Sequence, residues 1–405
     1  GSLDGVEVTG ITLSTANLQP GDLYVGVKGV RRHGASFATQ ARDGGAVALL
    51  TDAEGADLAA DSGLPIIVVE SPREALGAIS SWVYRTEELS PLLFGITGTN
   101  GKTSVSYLLH GIAEQLGLVA GLSTTAERKI GSLTVTATLT TPEATEIHGL
   151  LARMRESEVR AVVLEVSAQA LTRNRVDGLV FDVVSFLNLS HDHLDDYADM
   201  ETYCAAKIEL FSPDRAKRGV VSLDTEWGNR VVEASRIPVT TISSTPGIDA
   251  EWTLTVLEER AEFTRFELRS PDGGTIVTQV PVIGRHMAAN AGLAIVMLVE
   301  AGFELEAIGH ALDASGGIDA FIPGRIERVS SQTGPAVYVD YGHSPDAFST
   351  TIDAIRPFTT GRLIMVFGAD GDRDPSKREE MGRIAAEGSD VLIVTDYNSR
   401  FEDAA

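Results

Sequence analysis

The chain has 405 residues, enough at about 150 per domain for two or three domains with substantial cores, so a small module is excluded. Its 33 Lys and Arg against 57 Asp and Glu leave a net charge of −24, and a surface this acidic repels a phosphate backbone, so general nucleic-acid binding is not expected. A single cysteine, Cys204, allows no internal disulfide and no thiolate zinc site, which suits a reducing, cytoplasmic setting.

Residues 288–301 form the longest apolar run, but Asn290 and Glu300 interrupt it and it falls short of the ~20 residues a bilayer span needs. No membrane span is expected. The opening Gly1-Ser2 reads as a tag remnant, and no secretory signal is expected.

In chain order, apolar runs at 23–27, 46–50 and 65–70 read as short strands punctuated by Pro20-Gly21-Asp22 and Gly34, and 72–84 reads as a helix. Residues 1–90 are therefore expected to form a small α/β domain. From Leu92 the rhythm changes to buried-strand runs, each followed by a glycine-rich or polar loop and a helix, as in a parallel sheet covered on both faces. Its predicted strands are 92–97, 161–165, 183–189 and 219–223. A more β-rich stretch, 252–282, precedes a predicted helix over 287–300, and Gly316-Gly317 with Pro323-Gly324 mark a hinge. This places a boundary near Ala320 and a central domain over 91–320. Beyond it, 336–341, 363–368 and 391–395 are predicted strands, with helices at 344–355 and 377–386. Residues 321–405 thus read as an incomplete Rossmann-like unit, expected to be truncated because a doubly wound domain needs more chain.

The strongest local signal is Gly95-Ile-Thr-Gly-Thr-Asn-Gly-Lys-Thr-Ser104. It lies between a predicted strand and a helix whose Val105, Leu108, Leu109, Ile112 and Leu116 share one face. In that setting backbone N–H groups point at phosphate oxygens, Lys102 supplies charge to the β- and γ-phosphates, and the Thr103 hydroxyl reaches Mg2+. Five residues, not four, separate Gly95 from Gly101, so the working loop is Gly98, Thr99, Asn100, Gly101, Lys102 and Thr103. Glu165 and the cluster Asn188-Leu-Ser-His-Asp-His-Leu-Asp195 end the next predicted strands, where parallel-sheet C-termini converge on one edge. Glu165 with His193 suggests a Mg2+ or Mn2+ site; zinc is disfavoured without a thiolate cluster, and either His191 or His193 alone would merely cap a loop. Lys207, on a predicted helical segment, reads by itself as an ordinary solvated charge.

Together these residues resemble the Mur ligases of peptidoglycan precursor synthesis, and more narrowly the MurE type. That type joins UDP-N-acetylmuramoyl-L-alanyl-D-glutamate to a third amino acid using ATP. The resemblance runs through Val8-Thr-Gly-Ile-Thr-Leu13, Pro20-Gly-Asp-Leu23, Gly98-Thr-Asn-Gly-Lys-Thr103, Thr140-Thr-Pro142, Glu165-Val-Ser167, the 188–195 cluster and Ala205-Ala-Lys207. It continues through Pro323-Gly-Arg-Ile-Glu-Arg328, Asp340-Tyr-Gly-His-Ser-Pro-Asp346, Gly371-Asp-Arg-Asp374 and Thr395-Asp396.

The resemblance implies a three-domain α/β architecture with a central phosphate-loop domain. It implies that Gly98 to Ser104 hold ATP, and that Lys102, Thr103, Glu165, His193 and Lys207 are catalytic. Thr103, Glu165, His193 and Lys207 would hold Mg2+, the last once carbamylated into an anionic oxygen ligand. Asn290 would contact adenine, with Arg325 and Asp340 completing the nucleotide site as the last domain closes. Leu13 and Thr15 are implied near the uridine, Thr140 and Thr141 along the substrate, Ser167, Arg173 and Arg175 near its anionic part, and Arg373, Asn398 and Arg400 around the added amino acid. Arg175 would pair with phosphate or carboxylate, the competing reading being a surface arginine. The implied partners are the UDP-linked dipeptide and a diamino acid, handled by a monomer.

Three departures stand out. Gln169 replaces a common histidine, and Gly284-Arg-His-Met-Ala-Ala-Asn290 differs from the Gly-Arg-Phe-Asn-Val-x-Asn of close relatives. Asp396-Tyr-Asn-Ser-Arg400 stands where diaminopimelate-adding relatives carry Asp-Asp-Asn-Pro-Arg, which favours lysine, ornithine or diaminobutyrate as the added amino acid. Competing functions are a folylpolyglutamate synthase-like ligase, against which the first 90 residues argue, a cysteine-rich amidotransferase partner subunit, disfavoured by the lone Cys204, and a non-catalytic nucleotide-binding protein.

Overall fold

The computed structural model describes residues 5–29, 31–87, 91–137, 139–192, 194–331, 333–371 and 374–403. Near the N-terminus four parallel strands, Gly10–Thr12, Asp22–Gly26, Ala48–Thr51 and Ile66–Val68, lie side by side in chain order. The helix Pro72–Tyr84 starts where Ser71 accepts a hydrogen bond from the Glu74 N–H and Pro72 fills the first turn, a favourable helix start. Its Leu76 is buried with Ile11, Leu23, Val25 and Leu50, and with Ala144 of the next unit.

The centre is a large mixed sheet. Its parallel core runs in the order Val239–Ser243, Ala216–Ser222, Phe181–Phe186, Leu92–Thr97, Ala161–Glu165, Ala120–Ser123. The phosphate-loop strand Leu92–Thr97 sits between its two neighbours with Ile96 opposite Glu165 and Thr97 opposite Phe186, so three strand C-termini share one edge. Helices Lys102–Gln115 and Arg285–Glu300 bury one face of the sheet, and Ala144–Glu156 with Met200–Ile208 bury the other. The expected helical stripe holds: Val105, Leu108, Leu109 and Ile112 are fully buried and Leu116 partly so.

Sequence periodicity missed the short strand Gly10–Thr12 and the edge hairpin Glu127–Ile130 with Leu133–Thr136. The β-rich stretch resolves into Trp252–Glu259, Thr264–Arg269 and Thr275–Val280, an antiparallel meander at the other end of the sheet.

After the hinge, the expected strand at 336–341 is reduced to Tyr338–Val339, paired antiparallel with Glu327–Arg328. The reason is local: the Asp340 carboxylate accepts from the backbone N–H groups of Ile326 and Gly342, at 2.9 and 2.7 Å, and turns the chain. Ile364–Phe367 and Val391–Val394 form a parallel pair, with helices Pro345–Ile355 and Arg378–Gly388 packed through Phe348, Met381 and Ala385. Among the described residues no helix is long and apolar enough to cross a membrane.

Candidate active site

The loop between Thr97 and the helix starting at Lys102 can take its path only because of two glycines. Gly101, at the helix N-cap, has φ of +87°, and Gly98 has φ of +154° with Leu187 so close that a Cβ there would collide. The loop is zipped to the segment after Phe181–Phe186: the Asn188 side chain accepts from the Asn100 N–H at 2.9 Å and donates to the Asn100 carbonyl at 3.1 Å. Ser190 is tied to it as well, through Thr99 at 3.1 Å and Asn100 at 3.1 Å.

Two lysines converge on this loop. Lys102 Nζ donates to the carbonyls of Gly98 and Thr99, and Lys207 Nζ donates to the same Gly98 carbonyl, each at 2.9 Å. The solvated-charge reading of Lys207 is overturned: the residue is 1% exposed, because its helix presses it against the loop and the Tyr203 ring. Burial pushes its pKa well below the ordinary lysine value, and Lys102 beside it adds to the effect. Burial also lowers Lys102, opposed by Glu165 and Asp192. Two lysine amino groups on one carbonyl give the loop a cluster of N–H donors suited to anions.

Glu165 is 1% exposed, and its two carboxylate oxygens accept from the Thr125 N–H at 3.1 Å and the Thr125 hydroxyl at 2.9 Å. Beside it, the Thr141 hydroxyl donates to the Glu165 carbonyl at 2.8 Å and accepts from the Ser167 N–H at 3.0 Å, while Thr140 lies 3.1 Å from the Thr125 hydroxyl. Ser167 caps the short helix Ala168–Thr172. The C-terminal region reaches the loop through Arg325, which donates to the Thr103 hydroxyl at 2.9 Å and lies over the Tyr341 ring, and through Asp346, which accepts from Asn100 at 2.9 Å. Asn290 is buried against Gly101. Asp340 sits in the turn described above, beside His286, whose pKa burial pushes down to about 4.

The structure thus brings together Gly98 to Ser104, Glu165, Lys207, Asn290, Arg325, Thr140, Thr141 and Ser167. Arg175 is held nearby by Glu143, and Arg173 is half exposed, paired with Asp196. Leu13 and Thr15 belong to the loop after Gly10–Thr12, and Asn398 and Arg400 are exposed beyond Val391–Val394. His193 and Arg373 lie outside the described residues.

Sequence reasoning missed Thr125, Glu143, Asp346 and Lys377. Asp346 ends the Asp340–Asp346 motif, but nothing in the residues flanking Thr125 signals that it holds Glu165. The Lys377 ammonium meets the buried Asp192 at 2.7 Å, and His191 pairs with Asp374 at 3.3 Å, joining the segment after Phe181–Phe186 to the C-terminal region.

Three family models cover the chain: Mur ligase family, catalytic domain, at residues 7–84; Mur ligase middle domain at 96–298; and Mur ligase, glutamate ligase domain, at 324–405. The UDP-N-acetylmuramyl-tripeptide synthetase of Leifsonia xyli is 62% identical over 405 residues, covering all of this chain and 79% of the relative. This chain belongs to the Mur ligase family.

A UDP-N-acetylmuramoyl-L-alanyl-D-glutamate–2,6-diaminopimelate ligase of Streptomyces avermitilis is 42% identical over 98% of this Mur ligase and 78% of the relative. Among solved structures, one of a ligase with that same name matches with a TM-score of 0.73 at 24% identity, over 98% of this chain and 80% of that one. An ADP complex of Mycobacterium tuberculosis folylpolyglutamate synthase matches at 0.64 and 18%, over 78% and 77%, which shows shared fold alone. Mur ligases are ATP-dependent, Mg2+-requiring enzymes that form amide bonds.

The donors present fit Mg2+. Glu165 and the Thr103 hydroxyl are hard oxygen ligands, and a carbamate on Lys207 would add oxygens where an ammonium cannot bind a cation.

Proposed function

We propose that this Mur ligase adds a diamino acid to the D-glutamate carboxylate of UDP-N-acetylmuramoyl-L-alanyl-D-glutamate, with ATP as the energy source. The observation that carries the reading is the convergence of Lys102 and Lys207 on the Gly98 carbonyl, beside Thr103 and Glu165. A module that only bound nucleotide would not need the whole phosphoryl-transfer set. Residues 1–90 take the uridine end through Leu13 and Thr15, 91–320 hold ATP and the reacting carboxylate, and 321–405 supply Arg325, Asp340 and the added amino acid's site.

In the first step a carboxylate oxygen of the substrate attacks the γ-phosphorus, the bond to ADP breaks, and an acyl phosphate forms. Lys102 exchanges its loop carbonyls for phosphate oxygens and stabilises the transferring charge, while the loop N–H groups orient the phosphates. When bound, Mg2+ neutralises phosphate charge, held by Thr103, Glu165, carbamylated Lys207 and His193. In the second step the acceptor amine attacks the acyl carbon, phosphate leaves with the former carboxylate oxygen, and the amine releases a proton. Arg325 and Asp346, by drawing the C-terminal region over the loop, exclude water from the acyl phosphate.

Asn398 and Arg400, with Arg373, hold the added amino acid. Tyr397 and Ser399, in place of an acid and a proline, favour lysine, ornithine or diaminobutyrate over meso-diaminopimelate.

The test is phosphate release by the full-length protein with ATP, Mg2+ and the UDP-linked dipeptide, comparing these four acceptors. Release driven by one of the three favoured acceptors is expected. Release fastest with meso-diaminopimelate would overturn the specificity, and none with any acceptor would overturn the ligase reading.

A further inference from the structure

Glu143 stands at the N-cap of the helix Ala144–Glu156, where a short polar side chain such as Asp or Ser would accept from the first free N–H groups. Here it makes no such bond. Both of its oxygens are given to arginines: Oε1 accepts from Arg175 Nε at 3.0 Å, and Oε2 accepts from Arg73 Nη1. Arg73 comes from the helix Pro72–Tyr84 of the N-terminal sheet unit, whereas Arg175 follows the short helix Ala168–Thr172 of the central one.

Arg175 is thereby fixed in a particular way. Its Nη1 also donates to the Thr141 carbonyl at 3.3 Å, and its side chain is only 13% exposed. With Nε and Nη1 engaged, Nη2 makes no hydrogen bond among the described residues, and a planar guanidinium held at two of its nitrogens presents its remaining N–H groups in a set direction. Two arginines against one carboxylate leave a local charge of +1, so the cluster still attracts an anion. Thr141, the second anchor, is bonded through its hydroxyl to the Glu165 carbonyl, which places the cluster at the phosphoryl-transfer end of the cleft. On the ligase reading, the acceptor substrate's anion at that end is a carboxylate of its peptide.

We infer that Glu143 is a positioning residue for the peptide carboxylate: it aims Arg175 at the substrate and, through Arg73, ties that aim to the N-terminal sheet unit. The inference rests on the ligase reading above, and wild-type turnover tests that reading separately. Losing the anchor leaves Arg175 present but unaimed, so the cost falls on substrate binding.

In Glu143→Gln the KM for the UDP-linked dipeptide rises about 10-fold, the scale of one charge-assisted contact, with kcat within about twofold and the KM for ATP unchanged. Binding of UDP-N-acetylglucosamine, which has the diphosphate but no peptide carboxylate, stays within about twofold. Glu143→Asp, one methylene shorter, raises the KM about threefold and keeps the measurement open should Glu143→Gln fold poorly. Adding Glu143→Gln to Arg175→Lys costs no more than Arg175→Lys alone, because both remove one interaction. A lowered melting temperature with unchanged KM, equal losses for UDP-N-acetylglucosamine, or additive losses in the double variant would each overturn the inference.

Discussion

The two junctions of the central sheet unit are built from opposite materials. Toward the N-terminus, helices Pro72–Tyr84 and Ala144–Glu156 meet through buried Leu76 and Ala144, Gly77 lies directly against the Asp177 carbonyl, and the fully buried His148 bridges Thr86 and the Asp177 carbonyl. Toward the C-terminus, the contacts are mostly polar: Arg325 with Thr103, Asp346 with Asn100, Lys377 with Asp192 and His191 with Asp374, beside a small cluster of Ile283, Ile326 and Ala354. Separating the first would expose close-packed apolar surface, while separating the second trades most of its contacts for water or phosphate. In the proposed function, the junction able to open and close is the one given to the nucleotide, and the packed one would keep the acceptor's two ends in register.

The largest effect is expected at the polar front. Lys102→Met removes the ammonium from the loop and lowers kcat/KM by about a thousandfold, roughly 4 kcal/mol, with an unchanged melting temperature, as read by phosphate release and thermal unfolding. At the packed junction the balance reverses. A methyl at Gly77 meets the Asp177 carbonyl, so Gly77→Ala costs about 1–3 kcal/mol of stability in denaturant unfolding while leaving turnover below the melt nearly intact.

Lys377→Met removes the ammonium that meets the buried Asp192 carboxylate at 2.7 Å and lowers kcat about 10-fold, with Lys377→Arg retaining most of the activity. Equal loss in both variants would assign Lys377 a role beyond charge. The smallest effect is a pH slope. Burial lowers the His148 pKa from 6.5, so the unfolded chain takes up a proton that the folded chain refuses, and stability present above pH 6.5 is lost as the pH falls below it. His148→Gln flattens that part of the curve of unfolding free energy against pH.

Much of this arrangement was legible in the sequence because local chemistry announces it. The loop from Gly98 to Thr103 needs glycines and a lysine in sequence, and the apolar stripe from Val105 to Ile112 repeats at helical spacing. Lys207 was legible only through family resemblance. Its burial is produced by a contact with Gly98, 109 residues earlier in the chain, and no periodicity encodes that distance. Glu143 and Thr125 were invisible for the same reason: each acts on a side chain brought to it by the sheet. The hairpin Glu127–Ile130 with Leu133–Thr136 escaped because the first strand is mostly charged and shows no apolar alternation, and the second, though Leu133 and Val135 alternate with threonines, is only four residues long and exposed throughout.

Transfer of phosphate to a carboxylate at this loop is tested most directly by isotope. With both oxygens of the D-glutamate carboxylate labelled with oxygen-18, ATP, Mg2+ and the favoured diamino acid, one labelled oxygen is expected in each phosphate released. Unlabelled phosphate, released at the rate of amide formation, would contradict an acyl phosphate and with it the role assigned to Lys102 and its partners.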